Sequence, residues 1–218
     1  MGRFAGFLTL VIVGSCWSGP QCAEAVILIN EVLADPSALF GDANGDGVIH
    51  TTQDEFVELV NTATSPVSLA GWTLSDLVQV RHVFAPSSSI PGLGFFVVFG
   101  GGAPQGFANV AVASTKTLAL NNTGDTVTLR DAQALLVDAF TYGVEGGMDV
   151  SLTRSPDATG FFVQHTSVNH QRYSPGTTID GLATLPIADD PPVTPEPSAL
   201  SLFGLSLVGF SFLRRPRS

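Results

Sequence analysis

The sequence predicts an all-β antiparallel sandwich, and three observations carry that prediction. Apolar residues recur with a period of two rather than 3.6, in short runs rich in Val, Leu, Phe and Thr. Clusters of Gly, Pro, Asn and Asp separate these runs and supply the turns between them. No stretch between the termini carries a long helical stripe. Many short strands joined by turns must each bury one face, and a second sheet is the cover that does so.

Taken in order, the strand candidates are residues 26–33, 56–60, 67–74, 82–84, 95–99, 109–113, 126–130 and 135–142, followed by the shorter 151–154 and 161–165. In the second of them, alternation places Val57 and Leu59 on one face and Phe56, Glu58 and Val60 on the other. Glu58 then needs a partner among apolar neighbours, and Arg154 or backbone amides are the candidates. The same alternation assigns Val32, Leu59, Trp72, Leu74, Val98, Leu129 and Val137 to the space between the sheets, in seven to nine strands. Trp72 reads as a plug of that core, with an exposed ligand platform as the alternative.

The N-terminus reads as a secretory signal peptide over residues 1–25. Arg3 supplies the positive charge, residues 4–13 the apolar run, and Ala23-Glu24-Ala25 the small-x-small cleavage site. A rival is Val13-Gly14-Ser15-Cys16, a loose lipoprotein box with Cys16 as the lipidated residue. Cys16 and Cys22 are the only cysteines, and both precede the cut at Ala25. The exported part therefore has no disulfide, and its stability comes from a core that about 170 residues are enough to build. The full chain has a net charge of -10, and because Arg3, Arg214, Arg215 and Arg217 lie in the terminal segments the exported part is more acidic still; with Lys116 as the sole lysine, this excludes nucleic acid as a partner and suits cations.

At the other end, Pro195-Glu196-Pro197 precedes an uncharged segment, residues 198–213, and the cluster Arg214, Arg215 and Arg217. As a short hydrophobic helix that segment spans about 24 Å, less than the roughly 30 Å hydrocarbon core, so it anchors only transiently. The arginines stay on the cytoplasmic side and leave the Pro-Glu-Pro box at the outer face. Together the three elements resemble the PEP-CTERM sorting signal of Gram-negative bacteria. That resemblance implies an exosortase-type membrane enzyme as partner and a destination in the cell envelope, at the cell surface or in the extracellular matrix. A plain C-terminal anchor is the bland alternative. A Pro- and Asp-rich linker, residues 182–194, joins the signal to the domain.

Specific phrases narrow the fold. Residues 29–36 (INEVLADP), 55–61 (EFVELVN) and 67–76 (VSLAGWTLSD) resemble, in that order, the opening strands of the lamin tail domain. Residues 118–122, 124–131 (GDTVTLRD) and 137–143 (VDAFTYG) resemble its later strands, and 151–154 (SLTR) its closing element. The resemblance covers residues 26–181 and implies an immunoglobulin-like β-sandwich.

Between the first two strands lies an acidic loop, residues 42–55. Asp42, Asn44 and Asp46 alternate as oxygen donors, a glycine follows at position six, and the Val48 carbonyl falls at position seven of an EF-hand-like half-loop. Ca²⁺ is the ion such a pattern takes, in a structural role. Position twelve departs from the pattern with Gln53, so Asp54 or Glu55 closes the shell, Asp54 being expected because Glu55 begins the next strand. The alternative is a set of Asx turns in an exposed connection.

Catalytic motifs are absent from the sequence. His50, His82, His165 and His170 are scattered, and Gly100-Gly101-Gly102 has no nucleophile elbow beside it. The leading expectation is a noncatalytic binding or adhesion module with exopolysaccharide or a surface protein as partner. A structural envelope or biofilm component without a ligand is the second reading. A small calcium-dependent hydrolase is the third, and it requires Glu58, Asp125 and Asp138 to converge in one cleft.

Overall fold

The computed structural model describes residues 27–187, and the architecture lies within the unit that ends at Pro186. The signal-peptide, Pro-Glu-Pro and C-terminal helix segments fall outside the described residues. Twelve strands make up the described part: β1 (Ile27–Leu33), β2 (Phe56–Asn61), β3 (Val67–Ser68), β4 (Thr73–Ser75), β5 (Val80–Val83), β6 (Ser89–Ile90), β7 (Phe95–Phe99), β8 (Val110–Val112), β9 (Asp125–Arg130), β10 (Leu136–Tyr142), β11 (Leu152–Ser155) and β12 (Phe161–Gln164). A six-stranded sheet runs β12-β11-β1-β2-β7-β8, a four-stranded sheet β10-β9-β4-β5, and β3 pairs with β6. All pairs are antiparallel except β7 with β8.

The two large sheets face each other across one apolar core. Ile27, Ile29, Val57, Leu59, Phe96 and Val98 come from the first sheet, Leu74, Val127 and Leu129 from the second. Each sits on the inward parity of its strand, so alternation alone selects them. Trp72 and Val137 are only partly buried, at the margin of this core rather than in it. The 67–74 segment is not one strand: Gly71 takes a φ of 76°, and the chain turns there between β3 and β4.

The outer face of the six-stranded sheet is covered too. Every residue of β2 is buried, because its outward side chains enter second clusters: Phe56 packs with Leu33, Val97 and Phe99, and Val60 with Phe95 and Ala158. The cover comes from the chain after β11. Gly160, His165 and Ser174 lie in it, the Tyr173 hydroxyl donates to the Phe40 carbonyl (3.2 Å), and the Leu185 amide donates to the Leu93 carbonyl (2.7 Å).

Strand β1 changes parity midway. Its register with β2 shifts between Ile29 and Glu31, a β-bulge at Asn30. Without it Glu31 would follow Ile27 and Ile29 into the apolar core. With it, Glu31 falls opposite Glu58 on the outer face, and Val32 returns to the core.

Candidate functional site

Three polar constellations stand out: a buried cluster, an acidic loop at the surface and an open trough. The first is the buried cluster that the bulge creates. Glu58 accepts from Asn30 Nδ2 (2.9 Å) and the Gly176 amide (2.6 Å), so its partners are an amide side chain and a backbone N–H. Arg154, the other candidate, binds the Ile29 carbonyl and Asp138 instead. Glu31 accepts from Ser151 Oγ (2.5 Å), the Ser174 amide (3.0 Å) and Ser174 Oγ (2.9 Å). Burial pushes both carboxyls up, and for Glu58 the neighbouring Glu31 adds to it.

His165 completes this cluster. Its Nδ1 lies 3.1 Å from the Gln171 carbonyl and its Nε2 3.0 Å from Ser174 Oγ. A carbonyl only accepts, so Nδ1 carries a proton. Ser174 has one hydroxyl proton for two neighbours, Glu31 and His165. Ser174 Oγ thus stands between the Glu31 carboxyl and the His165 ring, within hydrogen-bond distance of both. Ser174 is buried, and its amide and hydroxyl join the covering segment to Glu31 on β1.

The second constellation is the acidic loop. Asp42 Oδ2 accepts from the Gly47 amide (3.1 Å), Asn44 Oδ1 from Asp46 (3.0 Å), and Asp46 Oδ1 from Val48 (2.9 Å). These are the turns an alternating Asp/Asn loop forms by itself. Asp54, fully buried, ties the loop from inside by accepting from the Asn44 (3.0 Å) and His50 (2.7 Å) amides. Burial raises its pKa, with the Asp42 and Asp46 charges adding, whereas the Ala103 and Val48 amides hold that of Asp46 down. Asp42 Oδ1 is buried without a hydrogen-bond partner. No three His, Cys, Asp or Glu side chains stand in a metal-binding group among the described residues.

The glycines after β7 have their reason here. The loop lies directly on them, the Gly100 amide donating to the Glu55 carbonyl (2.8 Å) and Gly101 to that of Gln53 (3.0 Å). A Cβ on Gly100 would overlap the Thr52 carbonyl. Gly102, at a φ of 76°, brings Ala103 N within 2.9 Å of Asp46 Oδ2.

The third constellation is an open trough of about 500 Å³ at one end of the sandwich. The acidic loop forms one wall with Thr51, Thr52 and Glu55, the β4–β5 turn a second with Leu77 and Val78, and the chain before β9 a third with Thr117 and Asn121. Carboxylates tie these walls together at their feet. Glu55 accepts from the Leu120 amide (3.3 Å), and Asp125 from the Leu77 (2.9 Å) and Asn121 (3.1 Å) amides. Asp76 accepts from the Val78 and Gln79 amides and from Arg81 Nε and Nη2. Burial pushes the Glu55 carboxyl up to about 8, so it is largely protonated at neutral pH.

Asp54 and Glu55 thus diverge, one into the loop and one to the trough. Of the three acids a hydrolase would need together, only Asp125 lines the trough. Glu58 belongs to the buried cluster, and Asp138 binds the Ile29 amide (2.9 Å) and Arg154 (3.3 Å). No local sequence pattern marks this trough, since its walls come from three distant segments. Asp76 and Asp125, acids at the two ends of short strands, were the only trace of it.

Comparison with known proteins accords with this architecture. Residues 193–215 match the PEP-CTERM protein-sorting motif, which implies export, recognition by exosortase in the membrane, and sorting to the envelope of a Gram-negative bacterium. No curated protein matches the chain. Residues 20–144, more than half of its 218 residues, match the Lamin Tail Domain, and the chain belongs to that family.

Proposed function

We propose that the mature domain is a noncatalytic binding or adhesion module of the cell surface or exopolysaccharide matrix, released or retained after processing at the Pro-Glu-Pro box. The observation that supports it is the trough: three connections, cross-tied by Glu55, Asp76 and Asp125, form a preorganised recess where sandwich folds carry recognition. Its acids are engaged by backbone amides and Arg81, an arrangement suited to holding shape. Exported protein mixed with matrix polysaccharide from its native host should cosediment with it. Protein that stays wholly in the supernatant would leave the adhesion reading without support.

Processing has its own test. Replacing Pro195, Glu196 and Pro197 should leave export intact and block maturation, giving a heavier product in the host. Neutralising Arg214, Arg215 and Arg217 should instead weaken retention of the tail, because those charges oppose translocation of a short span. An unchanged mature mass for the altered box would refute processing at that site.

Calcium belongs to this reading as an ordering ion. The supporting observation is Asp42 Oδ1, buried with no hydrogen-bond partner in the loop that also carries Asn44, Asp46 and Val48. In this reading Asp54 is the closing acid, because its carboxylate is turned to the loop amides of Asn44 and His50, while Glu55 accepts from the Leu120 amide at the trough. Millimolar Ca²⁺ should raise the melting temperature, by the equivalent of about 2.7 kcal/mol at 100 times the dissociation constant. Mg²⁺ should do less, as it dehydrates reluctantly. Asp46→Ala should abolish the response, and a melting curve indifferent to Ca²⁺ and chelator would leave only the Asx turns.

A further inference from the structure

We propose that the trough at the end of the sandwich binds a neutral saccharide, an inference that rests on reading the domain as a binding module. Its volume of about 500 Å³ lies within the range of small-ligand sites. The class of ligand follows from how its charges are committed. Asp76 is bonded through both oxygens to two amides and to Arg81, and Asp125 is bonded through both oxygens to the Leu77, Asn121 and Thr126 amides. Glu55, protonated by its burial, is a donor as well as an acceptor.

An incoming cation would meet the Arg81 guanidinium, which lines the trough. An anion would meet the Asp125 carboxylate and a chain of net charge -10. What the walls offer without charge conflict are hydroxyls and amides: Thr51, Thr117 and Asn121, each able to donate and accept. Ligand hydroxyls have the same double capacity.

The remaining wall is apolar. Leu77 and Val78 are 73% and 81% exposed at the rim, on a turn held rigid by the Asp76 and Asp125 bonds to their amides. Fixed apolar side chains beside hydroxyl- and amide-bearing walls match a sugar ring, which presents C–H groups on one face and hydroxyls at its margin. Preorganisation of this kind lowers the entropic cost of binding.

Calorimetric titration of the full-length protein in mild detergent with Ca²⁺ present tests the assignment. The probes are maltotriose, cellotriose and mannotriose, with trigalacturonate and trilysine as charged counterparts. At least one neutral trisaccharide should bind, and Leu77→Asp and Asn121→Ala should each weaken it about tenfold or more. Both positions are exposed, so the melting temperature should stay unchanged. Absence of binding by all three neutral probes, or binding that neither variant alters, overturns the proposal. Binding of trigalacturonate or trilysine alone, sensitive to Leu77→Asp, would overturn the saccharide and keep the module. If matrix cosedimentation also failed, the module reading itself would fall.

Discussion

Phe56→Ala should lower the unfolding free energy by about 3 to 5 kcal/mol, the cost of deleting a fully buried aromatic ring and leaving its cavity. Phe56 faces away from the inter-sheet core, yet it is sealed between the edge of Phe99 (ring centroids 5.6 Å apart) and Tyr173 (6.4 Å). Tyr173 belongs to the segment that covers the sheet, and its hydroxyl binds the Phe40 carbonyl at the entrance of the acidic loop. The loss should therefore come with easier proteolysis in the chain after β12. Urea denaturation with an unchanged m-value measures the effect. A loss below about 1 kcal/mol would mean that the outer face is only loosely covered, contrary to the burial seen here.

The second large effect is in pH. Glu31, Glu55 and Glu58 all have carboxyls pushed up by burial, Glu55 to about 8. Between the ordinary carboxylate value of 4.5 and the folded value, the native state holds protons that the unfolded chain has released. The unfolding free energy then falls as pH rises, by about 1.4 kcal/mol per pH unit for each retained proton. Asp76, held down by Arg81 and two amides against its burial, works in the opposite sense: its contribution is present above the ordinary value of 3.8 and is lost in acid. Stability should accordingly peak in mildly acidic solution. Glu55→Gln, which keeps an oxygen for the Leu120 amide, should recover about 3 to 5 kcal/mol at pH 9 and little at pH 5. Denaturant midpoints that rise steadily from pH 5 to 9 would contradict the buried, protonated carboxyls.

The buried cluster shows how one local irregularity redirects a strand. Ile27, Ile29 and Val57, Leu59 follow simple alternation, and their place between the sheets was legible from the spacing of apolar residues. Glu31 was not, because parity changes at the Asn30 bulge, and nothing in the phrase INEVL marks where a strand gains a residue. The outward position of Glu58 was legible, but its partners were not. Gly176 and Asn30 reach it only because the chain after β11 folds back across the sheet. Arg154 sits on the neighbouring strand β11 and is drawn to Asp138 on the facing sheet.

The sequence by itself determined the all-β class, the inter-sheet core and the sorting address, because period-two patterning and terminal motifs act over a few consecutive residues. It also determined the turns of the acidic loop, since Asp and Asn side chains bond amides two residues on. Only the tertiary structure decided that both faces of β2 are buried, that Trp72 and Val137 are marginal, and that Glu55 leaves the loop for the trough. The trough itself exists only after residues 51–55, 76–81 and 117–125 converge. Such features depend on contacts between segments tens of residues apart, and their partners cannot be read from the local pattern of any one segment.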